Sequence, residues 1–146
     1  MGGDGAQMRR MDSLDRFVRA QQTTYADALA ELRRGRKASH WMWFVFPQIA
    51  GLGRSDTARF YAIASAEEAR AYLAHPVLGA RLIEATVAAM AASGSAEAIF
   101  GGIDAVKLRS SMTLFEAVAE DATPFAAAIT RFFGGERDAE TLRLLG

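Results

Sequence analysis

Two stretches of the chain gather residue types that can do chemistry. The first, KASHWMWFVFPQ at Lys37–Gln48, places a lysine, a histidine, both tryptophans of the protein and a glutamine within twelve residues. An ammonium can neutralise an anion, and an indole can stack on a flat group or receive a cation. An imidazole titrates near neutrality and can carry a proton. Gly51-Leu52-Gly53 follows and permits tight turning, but it lacks the GxGxxG or GxxxxGK[ST] spacing of dinucleotide and phosphate loops. The second stretch is DAVKLRSSMT at Asp104–Thr113. On a helix, Asp104, Lys107 and Ser111 share a face through spacings of three and four, and Ser110 lies three beyond Lys107. A serine beside a lysine suggests a Ser–Lys nucleophile pair, with the familiar SxxK order reversed. An Asp–Lys ion pair, with hydroxyls bonded to the preceding turn, competes with that reading.

The candidate ligand-binding residues are therefore Lys37, His40, Trp41, Trp43, Gln48, His75, Asp104, Lys107, Ser110 and Ser111. Among them His40, Lys107 and Ser111 are the candidates for catalysis. Phe44, Val45, Phe46 and Ile49 read as core. His75 precedes Pro76 and has an equally plain role just outside a helix N-terminus. His40, His75 and Asp104 show no HExxH-type spacing, so no metal is expected, and no cofactor motif is present. The lysines carry extra weight: of seventeen Lys and Arg residues, only Lys37 and Lys107 are lysines. Where lysine persists in an arginine-rich chain, a compact ammonium is wanted where a planar guanidinium would not fit.

Helices must position these residues. Leu14, Phe17, Val18, Tyr25, Ala28, Leu29 and Leu32 recur at helical spacing, which predicts one amphipathic helix opened by Asp12 or Ser13 and closed by Gly35. Its outer edge, with Arg16, Arg19, Asp27, Glu31 and Arg34, reads as a solvated face. Ser55 and Ser65 are predicted caps of two further helices. His75-Pro76 marks a boundary before a strongly apolar helix from Pro76 to about Ala92, expected to be the most buried element. A short turn over Glu97–Phe100 precedes a helix that Asp104 can cap and that runs to about Ala119. Thr123-Pro124 opens the next helix, which Gly134-Gly135 closes, and Asp138 can cap a last short one. No segment alternates with β-branched enrichment. The expected fold is all-α: a compact single-domain bundle of about five to seven helices with an aromatic-rich loop or short-helix segment, over residues 12–146. Residues 1–11 read as a flexible, glycine-rich tail.

Composition narrows the function. Formal net charge is zero, which disfavours a nucleic-acid-coating role; Arg33, Arg34 and Arg36 are the one dense basic run. There are no cysteines, hence no disulfide or thiolate chemistry. No apolar run is long enough to span a bilayer, and no signal-type segment opens the chain, so a cytoplasmic protein is expected.

The blocks RFVRAQ (Arg16–Gln21), KASHWMWFVFPQIAGLGRS (Lys37–Ser55), AYLAHPVLGARL (Ala71–Leu82), IFGGIDAVKLRSSMTLF (Ile99–Phe115) and FFGGERDAETLRLL near the end carry a resemblance. The chain resembles the domain-of-unknown-function 1810 family, sometimes mislabelled calpastatin. The label fails on physics, since that inhibitor is a disordered, charged chain and this one is rich in residues of the buried type. The resemblance implies a compact, mainly helical, cytosolic domain without a settled activity, and it assigns no catalytic residue. The residues themselves suggest a pocket between segments 37–53 and 104–115 for a small anionic ligand of nucleotide or phosphate type, with the two lysines within about 10 Å of each other. The alternative is a protein–protein interaction or self-association module without enzymatic activity. Oligomeric state is not readable from the chain.

Overall fold

A computed structural model describes residues 13–146. The expected tail and a cap by Asp12 lie outside the described residues. Within them the chain is all-α, with one isolated parallel bridge, between Ile49 and Ile63, as its only β pairing. The elements are α1 (13–22), α2 (Tyr25–Arg34), α3 (Met42–Val45), α4 (Asp56–Phe60), α5 (Ala66–Ala74), α6 (Leu78–Ala91), α7 (Ala96–Phe100), α8 (Gly102–Val118), α9 (Thr123–Phe133) and α10 (Ala139–Leu145). Seven of these have seven residues or more, and the short α3, α4 and α7 serve as joints between them.

Local signals set most of the ends. Ser55, Ser65 and Asp138 accept hydrogen bonds from the backbone N–H groups of Ala58, Glu68 and Thr141, and so cap α4, α5 and α10. Gly35 and Gly134 end α2 and α9 in the left-handed conformation, at φ 76° and 61°, which glycine adopts without steric cost.

Four expectations need correction. The first predicted helix is two, broken at Thr23-Thr24, where Gln21 turns inward. Its amide donates to the Phe44 carbonyl (2.7 Å) and the Tyr72 hydroxyl (3.1 Å), so tertiary bonding overrides continuous periodicity. Arg16 and Glu31 are not solvated: Arg16 clamps the Phe60 and Ala62 carbonyls and Glu68, while Glu31 is buried. Neither Asp104 nor Thr123 is a cap, because α8 and α9 begin at Gly102 and Thr123 themselves. Finally, α6 is not the single most buried element: it shows Ile83 and Val87 to solvent, and the longest buried run, Ser110 to Phe115, belongs to α8, which itself shows Ile103 and Val106 to solvent near its start. The hydroxyls that made α8 look polar are satisfied locally, as when Thr113 donates to the Arg109 carbonyl at 2.8 Å.

The core runs through a file of rings from α1 to α9. Phe17 meets Tyr72 edge-on at 5.2 Å, Tyr72 meets Phe115 at 5.4 Å, and Phe115 meets Phe125 at 6.0 Å. Each such buried ring contributes about 2 kcal/mol, and the file ties α1, α5, α8 and α9 into one unit. Phe44, Val45, Phe46 and Ile49 are buried in the same core, as expected. No helix among the described residues is long and apolar enough to cross a membrane.

Candidate functional site

The segment after α2 is held from two sides. The Lys37 N–H donates to the Ile99 carbonyl at 2.7 Å, anchoring the segment to α7. On the other side the Glu31 carboxylate organises the next turn of chain. It accepts the N–H groups of Ala38 (2.6 Å) and Ser39 (2.9 Å), the Ser39 hydroxyl (2.5 Å) and the Trp41 indole N–H (2.9 Å). Burial alone would raise the Glu31 pKa, but these four donors outweigh it and hold the carboxyl down at about 2. Farther on, backbone bonds between Ile63 and both Gln48 and Ala50, each 2.8 Å, fix the loop that carries Gln48 and Gly53.

α8 supplies the opposing wall. Gly101, at φ 84°, joins α7 to α8 in a backbone conformation that glycine adopts without steric cost, and the first turn of α8 carries Asp104 to both lysines. There Asp104 receives both: Lys37 Nζ lies 2.9 Å from Oδ2 and Lys107 Nζ 3.2 Å from Oδ1. Burial opposes ionisation of Asp104, yet the two ammonium groups keep its pKa below the ordinary carboxylate value. Each lysine also covers an indole, Lys37 over Trp41 at 5.1 Å and Lys107 over Trp43 at 4.6 Å. Cations and rings thus alternate around a single carboxylate.

The two lysines are not equivalent. The Lys37 side chain is 9% exposed and its Nζ also donates to the Ser39 carbonyl at 2.6 Å, so it is enclosed by the fold. The Lys107 side chain is 23% exposed, and besides the Trp43 ring its ammonium has Asp104 as its one hydrogen-bond and ion-pair partner among the described residues. An ammonium has three N–H donors, which leaves Lys107 with capacity to bind. It borders a groove of about 410 Å³ lined by Gln48, Gly53, Ser110 and Asp138, with Leu52, Ile103 and Val106 as apolar wall. Ser110 donates to Asp138 Oδ2 at 3.0 Å.

The structure brings together Lys37, Trp41, Trp43, Asp104 and Lys107 around one carboxylate, with Gln48 and Ser110 on the adjoining groove. Others fall elsewhere. Trp41 is fully buried, so Trp43, half-buried, is the indole within reach of a ligand. Ser111 is also fully buried, its hydroxyl without a partner among the described residues, and solvent cannot reach it as a nucleophile. His75 caps α6: its Nδ1 accepts the N–H groups of Val77 (3.1 Å) and Leu78 (3.2 Å). His40 is exposed and borders a second, open hollow of about 530 Å³ with Trp43, Phe44, Asp56, Thr57, Phe60 and Tyr61.

Sequence reasoning missed Glu31, the groove residues Leu52, Ile103, Val106 and Asp138, and the Phe60–Tyr61 pair. Glu31 had a signal. It lies three residues after buried Ala28, at the border of the apolar stripe, ten before a tryptophan that needs an acceptor. The groove residues had none, since nothing local distinguishes an apolar residue on a groove from one on open surface.

The family model described as "Protein of unknown function (DUF1810)" matches residues 11–145. Among solved structures, the chain is similar to the conserved hypothetical protein Rv1873 from Mycobacterium tuberculosis. The two share 50% identity and a TM-score of 0.89, over 90% of this chain and 95% of that one. No curated protein matches.

Proposed function

Because this chain belongs to the DUF1810 family of proteins of unknown function, we propose from its geometry alone that it binds a small anionic ligand in the groove between the Gln48–Gly53 loop and α8. One observation carries the reading: Lys107 stands on the groove with N–H donors to spare, held in place by Asp104 and the Trp43 ring. Gln48 adds a hydrogen-bonding group, and Leu52, Ile103 and Val106 form an apolar wall along one side. The remaining charges temper the site. Asp104 neutralises much of the lysine pair and Asp138 lies across the groove, so a ligand with one compact anionic group fits better than a polyanion.

Thermal unfolding of the full chain with inorganic phosphate, sugar phosphates and nucleotides tests this. A probe at a hundred times its dissociation constant stabilises by about 2.7 kcal/mol. Lys107→Ala removes that gain. If no anionic probe moves the transition of the unsubstituted protein, the reading fails.

A second reading, an interaction surface, has its own observation. Ile103 is 78% and Val106 58% exposed, side by side on one edge of α8. It predicts self-association in sedimentation experiments that Ile103→Glu abolishes; a monomer at every concentration removes self-association from consideration.

A further inference from the structure

The groove and the open hollow are neighbours. Between them lies a nearly closed waist, with room of only about 10 Å³, whose lining includes Gln48 and Gly53 from the groove side and Trp43 and Tyr61 from the hollow side. The waist is pinched because a Cβ on Gly53 would come within 2.4 Å of Ala58 Cβ, so only glycine lets α4 lie so close. A ligand that reached both hollows would pass over this waist. The two ends differ sharply in chemistry. One has the Lys107 ammonium; the other has rings, with His40, Asp56 and Thr57 as its polar groups.

Phe60 is the unusual member. It is 59% exposed and stands perpendicular to Tyr61 at 4.8 Å and 85°, so a large apolar ring is presented to solvent. Trp43 faces the same hollow while its ring carries Lys107 at 4.6 Å. Anion contact and aromatic hollow are therefore separated by one indole.

We propose that the two hollows form one bipartite site, which takes a nucleoside monophosphate with its phosphate at Lys107 and its base against Phe60 and Trp43. This rests on the anionic-ligand reading above and adds the second half of the ligand. A flat nitrogenous ring gains by stacking on Phe60, and its N–H groups find the Asp56 carboxylate as acceptor. The sugar spans the waist beside Gln48.

Calorimetric titration of the full chain with the four common nucleoside 5′-monophosphates and with ribose 5-phosphate tests the arrangement. At least one nucleotide should bind about tenfold tighter than ribose 5-phosphate, the gain of one stacked base. Phe60→Ala should erase that difference while leaving ribose 5-phosphate affinity unchanged, and Phe60→Trp should keep it. Lys107→Ala should weaken both probes. If ribose 5-phosphate binds as well as every nucleotide, or if Phe60→Ala weakens both equally, the bipartite site is wrong and the anionic groove stands. If neither kind of probe binds, the bipartite site is wrong, and the anionic groove falls with it when inorganic phosphate fails as well.

Discussion

Glu31 shows how one side chain can shape a site it does not line. Its carboxylate gathers two backbone N–H groups, a hydroxyl and an indole N–H from Ala38–Trp41, and so presets the segment that carries Lys37. Its folded pKa of about 2 lies below the ordinary 4.5, so in that interval the unfolded chain binds more protons than the folded one. The resulting stability is fully present above pH 4.5 and drains away as pH falls toward 2. It amounts to about 3 kcal/mol. Urea unfolding at neutral pH should show Glu31→Gln destabilised by about that much, and a pH series should show a flatter acid limb. The lysines should separate in the same assay. Lys37→Ala is expected to cost about 2 kcal/mol, because it strips a largely enclosed partner from Asp104 and Ser39. Lys107→Ala should cost less than about 1 kcal/mol, since that ammonium meets water. The scarcity of lysine pointed to both positions; it said nothing of which one the fold would enclose.

Among the elements, α8 positions the groove and the α5–α6 corner braces the core behind it. At that corner α6 passes so near the end of α5 that a Cβ on Gly79 would lie 2.1 Å from the Leu73 carbonyl oxygen. The obstacle is backbone and cannot swing aside. Gly79→Ala should therefore lower stability by about 3 kcal/mol despite its better helix propensity, and chemical denaturation would measure this. Caps and stops were legible because each involves residues within a few positions of one another, as with Ser55 and Ala58 or Asp138 and Thr141. The rank of the helices was not. α6 is apolar around much of its circumference yet shows Ile83 and Val87 to solvent, while α8, with its run of hydroxyls, holds the unbroken buried stretch from Ser110 to Phe115. Burial of a helix depends on how many neighbours surround it, and hydroxyls bonded to their own preceding turn do not forbid it.

For the molecule as a whole, the file of rings from Phe17 to Phe125 and the Arg16 clamp on Phe60, Ala62 and Glu68 join early and late parts of the chain in one core. Calorimetry should accordingly record a single transition with equal calorimetric and van't Hoff enthalpies. Two resolved transitions would mean that α1 and α2 fold apart from α8 and α9. Zero net charge makes no demand for a polyanionic partner, and the balanced set of Lys37, Lys107, Asp104 and Asp138 repeats that neutrality at the groove.

From the chain alone, helical class, most helix ends and the burial of Phe44–Phe46 could be derived, because these follow from periodicity and from contacts between near neighbours. That Lys37 and Lys107 would share one carboxylate needed the tertiary packing that sets α8 against a segment more than sixty residues upstream. The fates of Ser110 and Ser111 needed it too. Adjacent helical residues point about 100° apart, and only the packing of α10 decided that the first, though buried, would find an acceptor in Asp138 while the second would be left without a partner among the described residues.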